Sequence, residues 1–114
     1  MSAITTHVLD VARGRPAAGV PITLERREAD GSFTLLGHGV TDGDGRLRTL
    51  LPGDHLLIAG VYRLRFATAA YFAASGSRGF YPEVAIVFAV EQPAEHYHVP
   101  LLLSPFGYST DRGS

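Results

Sequence analysis

Apolar and polar side chains alternate along most of this chain, and the alternation is clearest over residues 60–67. There Tyr62, Leu64 and Phe66 would share one face and the arginines between them the other. This two-residue period predicts a β-strand with one buried face. Further segments of this kind cover residues 4–10, 20–27, 33–40 and 47–51. Glycine, proline and aspartate separate them at intervals of about 8–12 residues, which is typical of an all-β domain.

Two stretches depart from this simple alternation. Residues 68–77 are rich in alanine and predict one short helix, with Thr68 as its N-cap. Residues 83–90 are almost continuously apolar, so we expect a strand that is buried on both faces.

The last part of the sequence, residues 96–110, predicts a strand pair that is broken at Ser104-Pro105. Pro100 has no N–H to donate, so we expect the pairing around it to be interrupted or to lie at a sheet edge. Taken together, the segments predict an all-β fold, a two-sheet β-sandwich of seven to eight strands with one short helix.

The composition is that of one globular domain spanning residues 1–114. Apolar residues make up 46% of the chain, charged residues make up 18%, and the formal net charge is −1. A charge so close to zero gives no field that would attract nucleic acid or an anionic membrane. The absence of cysteine excludes disulfides and thiolate catalysis. The sequence shows no signal peptide and no membrane-spanning run, so we expect a soluble, cytoplasmic protein.

Four residues are candidates for chemistry: His7 on the first strand, His96 and His98 on the penultimate strand, and Arg46 after a tight turn. In a sandwich the first and last strands can meet, which would bring these side chains together. Imidazoles carry protons near neutral pH, and a guanidinium steadies negative charge on a carbonyl oxygen. This combination suits hydrolysis of a cyclic amide.

Two other interpretations of these residues stay open at this point. The imidazoles of His7, His96 and His98 could instead hold a zinc ion, although no carboxylate lies at a motif distance from them. All of these side chains could also be structural or simply solvated.

Several motifs, in order along nearly the whole chain, resemble those of the transthyretin-related 5-hydroxyisourate hydrolases. The N-terminal motif is Thr-Thr-His-Val-Leu-Asp at 5–10, followed by Ala-Arg-Gly-Arg-Pro-Ala at 12–17. The middle motif is Thr-Asp-Gly-Asp-Gly-Arg at 41–46, and Phe-Tyr-Pro-Glu-Val at 80–84 is similar to a further family segment. The C-terminal motif is His-Tyr-His-Val-Pro-Leu-Leu-Leu-Ser-Pro-Phe-Gly-Tyr-Ser-Thr at 96–110, with Arg-Gly-Ser at 112–114.

The resemblance implies a transthyretin-like sandwich that assembles as a homotetramer of two dimers, with active sites in the channel between the dimers. It implies hydrolysis of the small molecule 5-hydroxyisourate in urate degradation, without a metal or an organic cofactor. Matched position by position, the catalytic set falls on His7, Arg46 and His98. The terminal signature, expected to bind substrate, falls on Asp111, Arg112, Gly113 and Ser114.

Asp111 departs from this resemblance, because the terminal signature of the family has tyrosine at that position. A tyrosine would offer a ring to stack on a flat substrate and a hydroxyl to donate a hydrogen bond. We therefore expect a hydrolase whose activity is impaired at Asp111. The alternative is a transthyretin-type protein that binds a small aromatic ligand without turning it over, although such binders lack the set of two histidines and one arginine.

Overall fold

Two β-sheets enclose one hydrophobic core in this protein. The structure, a computed structural model, describes residues 3–53 and 55–113. Its elements are β1 (Ile4–Asp10), β2 (Arg15–Pro16), β3 (Pro21–Arg27), β4 (Phe33–Val40), β5 (Arg46–Leu47), β6 (Gly60–Phe66), α1 (Thr68–Ala74), β7 (Val84–Val90), β8 (Tyr97–Ser104) and β9 (Gly107–Thr110).

One sheet has the strand order β4-β3-β6-β7, and the other has the order β2-β1-β8-β9 with β5 also paired to β1. The pairing of β1 with β8 is parallel, whereas the other pairs are antiparallel. The predicted all-β sandwich with one short helix is therefore confirmed. The described part of the chain has nine strands rather than seven to eight. The addition is the two-residue β2, which lies in a stretch that we had expected to be a turn.

The side chains that the alternation over residues 60–67 predicts to be buried are buried in the structure. Tyr62, Leu64 and Phe66 are fully buried, and Leu24 and Ile22 of β3 lie opposite Leu64 and Phe66. Burying a side chain of this size contributes roughly 1.5–3 kcal/mol. The apolar face of β6 therefore fixes the inner side of its sheet.

Strand β7 corrects one expectation, because it is buried on one face only. Val84, Ile86 and Val90 lie in the core, but Val87 between them is 55% exposed. The strand lies at the edge of its sheet, and in the described chain nothing packs over its outer side. Its outward residues are small or β-branched apolar types, which in the sequence look the same as core residues.

The expected cap of the helix is also wrong. Ala67 occupies the N-cap position without a side-chain hydrogen bond, and the hydroxyl of Thr68 donates instead to the carbonyl of Tyr81 at 2.6 Å. Thr68 therefore joins the start of the helix to the segment before β7. No helix in the described ranges is long and apolar enough to span a membrane.

Pro100 interrupts the pairing of β8 with β9, as expected. The ladder joins residues 101–104 to 107–110 and then stops, because Pro100 has no N–H to donate. Pro100 still accepts a hydrogen bond from the hydroxyl of Thr110 at 2.7 Å. Beyond this gap a single bridge pairs His98 with Gly113, and the N–H of Gly113 donates to the carbonyl of His98 at 2.8 Å.

A buried carboxylate joins the helix to the end of β1. Asp10 is only 3% exposed, and it accepts hydrogen bonds from the hydroxyl of Tyr71 at 2.6 Å and from the N–H of Arg13 at 3.0 Å. Burial and this carboxylate raise the pKa of Tyr71 to about 12. The phenol therefore stays a donor throughout the neutral range.

Replacing Tyr71 with phenylalanine tests this connection. We expect Tyr71→Phe to lower the free energy of unfolding by about 1–3 kcal/mol, because a buried carboxylate loses a hydrogen bond that nothing replaces. Urea denaturation measures the change. Tyr81→Phe is the matched control, since its hydroxyl makes no hydrogen bond within the described residues. Equal stability of the two variants would show that the Tyr71–Asp10 bond does not support the fold.

Candidate active site

The pairings of β1 bring the candidate residues onto one face of a sheet. His7 lies opposite Arg46 of β5, and Thr5 lies opposite His98 of β8. Alternate residues of a strand share a face, so all four side chains project from the same side. The alternate residues of β1, such as Thr6 and Val8, point into the core. We expected the first and last strands to meet, and it is the penultimate strand, β8, that pairs with β1. The candidate site lies on the outer face of the five-stranded sheet.

A tight turn at residues 41–46 holds Arg46 next to β1. The carboxylate of Asp42 accepts hydrogen bonds from the N–H of Asp44 at 2.9 Å and of Arg46 at 3.0 Å. Gly45 has a φ of +75°, and a Cβ added there would lie 2.3 Å from the carbonyl oxygen of Val8. Only glycine allows the turn to approach β1 so closely.

The same turn also orients His7. Nε2 of His7 lies 2.8 Å from the carbonyl oxygen of Asp44. A carbonyl can only accept a hydrogen bond, so Nε2 of His7 carries a proton. When the ring is neutral, its Nδ1 is therefore an acceptor.

His96 and His98 are linked through a hydroxyl. Oγ1 of Thr5 lies 3.0 Å from Nε2 of His96 and 2.9 Å from Nδ1 of His98, and the two rings are stacked with centroids 6.5 Å apart. Burial lowers the pKa of His98 below its ordinary value, and the nearby charges of Arg46, His7 and His96 lower it further. His98 is therefore a neutral imidazole at physiological pH, which is the form that can accept a proton.

Gly113 lies against the ring of His98. A Cβ added at Gly113 would lie 2.6 Å from Cδ2 of His98, so only a residue without a side chain fits there. The backbone bridge between these two residues fixes the same contact. Among the terminal residues expected to bind substrate, Gly113 thus packs directly against the ring of His98.

Asp111 and Arg112 of the terminal signature line a different part of the surface. Arg112 forms an ion pair with Glu95 at 3.0 Å and its guanidinium lies 4.3 Å from the ring centre of Tyr97. Asp111 and Arg112 line a cleft of about 400 Å³ between β7 and β9, and His7, Arg46 and His98 are not part of its lining. Ser114 lies outside the described residues. In the single chain, Asp111 and Arg112 are therefore not brought together with His7, Arg46 and His98, although Nη2 of Arg112 lies 3.5 Å from the carbonyl oxygen of His96.

The geometry does not favour the zinc interpretation. Within residues 3–53 and 55–113, no group of three or more His, Cys, Asp or Glu side chains is arranged to hold a metal ion. Nε2 of His96 and Nδ1 of His98 are instead both within hydrogen-bond distance of Oγ1 of Thr5.

Residue-by-residue reasoning from the sequence missed Thr5, which entered only as one letter of a motif. One signal was present: Thr5 lies two positions before His7 and therefore on the same face of the same strand. It could not have been found without the register of β1 against β8, which the sequence alone does not provide.

Similarity to known proteins identifies the family of this chain. Residues 4–113 match the HIUase/Transthyretin family. The chain belongs to the HIUase/transthyretin family. A relative from Caulobacter vibrioides, named 5-hydroxyisourate hydrolase, is 48% identical over 118 residues, covering 100% of both chains. The resemblance recognised from the motifs is therefore confirmed.

Two solved structures of family members have the same fold. The structure of 5-hydroxyisourate hydrolase from Klebsiella pneumoniae has a TM-score of 0.82 and 37% identity, covering 97% of this chain and 92% of that chain. The structure of sea bream transthyretin in complex with thyroxine has a TM-score of 0.90 and 36% identity, covering 98% of this chain and 95% of that chain. The fold is thus common to a hydrolase and to a binding protein, and the site must distinguish them.

The electrostatics of the site predict how His98 titrates. We expect NMR titration of the imidazole to give a pKa below about 6.5 for His98, and Arg46→Gln to raise it, because a neighbouring positive charge is removed. Arg27→Gln, on the other sheet, removes the same charge and should leave the pKa of His98 unchanged. An unaltered His98 pKa in Arg46→Gln would contradict the proposed proximity of the two charges.

The lowered pKa of His98 also makes the stability of the folded chain depend on pH. The folded-state pKa of His98 is lowered, so between the folded and unfolded pKa values the unfolded chain binds more protons. The contribution of His98 to stability is therefore fully present above pH ~6.5 and falls as the pH drops from there to the folded-state pKa.

Proposed function

We propose that this chain hydrolyses 5-hydroxyisourate, opening a cyclic amide ring as a step of urate degradation. The observation that carries the proposal is the convergence of His7, Arg46 and His98 on one face through the pairings of β1 with β5 and β8. The hydrolase name of the Caulobacter relative supports the same reaction and substrate.

His98 is the proton acceptor in this proposal. Its ring is kept neutral, and its Nε2 makes no hydrogen bond within the described residues. Nε2 takes a proton from a water molecule while the water oxygen forms a bond to the carbonyl carbon of the ring. The ring C–N bond then breaks, the new carboxyl group stays on carbon, and the nitrogen takes the proton.

Arg46 stabilises the negative charge that develops on the carbonyl oxygen during this step. Its guanidinium forms no ion pair within the described residues, so its donors are available to a ligand. A guanidinium keeps its charge at any physiological pH and presents its N–H groups in a planar fork. This fork suits the adjacent oxygen and nitrogen atoms of a flat heterocycle. No metal or organic cofactor is required by these roles.

His7 has the second acid–base role. The carbonyl of Asp44 holds Nε2 of His7 as a donor, which leaves Nδ1 of the neutral ring as an acceptor toward the ligand. A positive charge on His7 lowers the pKa of His98, so it disfavours a second charge there. One ring can therefore accept a proton while the other hydrogen bonds to the substrate.

The terminal signature, Asp111 to Ser114, contributes substrate contacts in this proposal. Gly113 allows the chain to lie directly against His98. Arg112 would need to leave Glu95 to reach a ligand, and the cost is small because both side chains of this pair are largely exposed.

We also propose that the chain works as a homotetramer whose subunits enclose the site. The histidine cluster lies on the outer face of a sheet, where a single chain leaves it open to water. The edge strands β7 and β9 have backbone groups available for pairing with another copy. Large apolar side chains are exposed beside them, including Val87 of β7 and Phe106 in the turn before β9.

Loss of His98 should remove most of the turnover. We expect His98→Gln to lower kcat/KM for 5-hydroxyisourate by about 10²–10⁴-fold, the usual contribution of a general base. The substrate can be generated in place by urate oxidase and its decay followed by ultraviolet absorbance. His38→Gln, on exposed strand β4 of the other sheet, is the control and should keep full activity.

No acceleration by the unaltered chain would overturn the hydrolase proposal. Calorimetry with flat aromatic ligands would then test the alternative, a transthyretin-type binding protein without catalysis. If His98→Gln were as active as the unaltered chain, the protein would still be a hydrolase, but another residue would be the general base.

Asp111 should limit the activity. We expect Asp111→Tyr to raise turnover, because tyrosine restores a ring and a hydroxyl donor at a position expected to meet the substrate. Sedimentation of the unaltered chain and of Asp111→Tyr shows whether the Asp111 carboxylates of different subunits also repel each other and weaken the tetramer. Unchanged turnover in Asp111→Tyr would show that Asp111 does not impair the enzyme.

A further inference from the structure

The hydroxyl of Thr5 occupies the space between two imidazoles and is itself buried. Thr5 is 4% exposed, because the rings of His96 and His98 lie over it. Both distances to ring nitrogens are within hydrogen-bond range. Such a buried hydroxyl has no access to water as an alternative partner.

A hydroxyl has a single proton, and this restricts the two rings. Oγ1 of Thr5 can donate to one ring nitrogen only, so the other nitrogen must donate to Oγ1 if both bonds form. Either Thr5 donates to His98 and accepts from His96, or it donates to His96 and accepts from His98. These two arrangements put the proton of neutral His98 on opposite nitrogens.

The proposed function decides between the two hydrogen-bond arrangements, and the inference rests on the proposed function for this choice. A base that acts through Nε2 needs a free lone pair there, so the proton of neutral His98 must be on Nδ1. We propose that Thr5 is a positioning residue whose hydroxyl donates to Nε2 of His96 and accepts from Nδ1–H of His98, leaving Nε2 of His98 free to take a proton from water.

The bridge also acts after the proton has been transferred. The imidazolium of His98 keeps its Nδ1–H hydrogen bond to Oγ1 of Thr5, which favours the charged form. This effect opposes the positive charges that face His98 from β1, from β5 and from the segment before β8, which are His7, Arg46 and His96. Thr5 therefore orients the base and moderates the electrostatic cost of charging it.

The test uses three variants of this chain. Thr5→Val keeps the shape and removes the hydroxyl, whereas Thr5→Ser keeps the hydroxyl. Thr6→Val is the matched control, because Thr6 is the next residue of β1 but points to the core and donates to the carbonyl of Val99 at 2.6 Å. Imidazole ¹⁵N NMR reports which nitrogen of His98 is protonated, and steady-state kinetics report kcat and KM.

We expect Nδ1–H on His98 in the unaltered chain, in Thr5→Ser and in Thr6→Val, and a shift toward Nε2–H in Thr5→Val. We expect Thr5→Val to lower kcat about tenfold or more with little change in KM, because part of a general-base contribution is lost. The acid limb of its pH–rate profile should move to lower pH, since the imidazolium loses an acceptor. Thr5→Ser should retain most of the activity.

Two NMR outcomes would overturn the inference: a proton on Nε2 of neutral His98 in the unaltered chain, or an unchanged tautomer in Thr5→Val. The rate of 5-hydroxyisourate decay with the unaltered chain tests the proposed function separately. The expected tautomers without any turnover would support the proton positions and reject the hydrolase.

Discussion

The parallel pairing of β1 with β8 is the constraint on which the other features of this protein depend. The register runs from Ile4 opposite Tyr97 to Asp10 opposite Leu103. It places alternate residues of both strands in the core and puts the residues between them on the outer face. A slip of one residue would bury His7 and expose Val8. The buried apolar face and the histidine cluster on the outer face, formed by His7, His96 and His98, therefore both depend on this one register.

The charge distribution at the outer face follows from this register. The pairing gathers three imidazoles near one guanidinium, and an arginine cannot release its proton at physiological pH. An imidazole can release its proton, and burial together with the nearby charges lowers the pKa of His98, which favours its neutral form. The site consequently has a permanent positive charge next to proton acceptors. Such a surface favours a ligand that is electron-rich and can lose or gain protons.

Local patterns in the sequence predicted the local structure well. The alternation in β6 predicted which side chains are buried, and the proline in β8 predicted a gap in its ladder with β9. The environment of β7 could not be predicted, because the sequence does not show whether a neighbouring layer covers an apolar strand. Thr68 shows a similar limit: its side chain has a tertiary partner, Tyr81, which competes with the capping position.

The site was only partly predictable, for a related reason. His7, Arg46 and His98 were identified by their chemistry and by the family resemblance, but their proximity depends on a pairing between distant segments. Thr5 and the carbonyl of Asp44 have no chemical signature in a sequence, since any strand can contain a threonine and every residue has a carbonyl. Their roles follow from register and turn geometry alone.

The site combines residues of β1 with residues of β8, which lie far apart in the sequence, and this affects how the protein folds. Thr5 and His98 are separated by 93 positions, and the closing pair forms between the first and the penultimate strand. Contacts of such high sequence separation form slowly, because the intervening chain must lose its conformational freedom first. During synthesis, β1 cannot pair with β8 until nearly the whole domain has left the ribosome. The imidazoles of His7 and His98 can therefore come together only once β8 has paired with β1, so the site forms late in the folding of the domain.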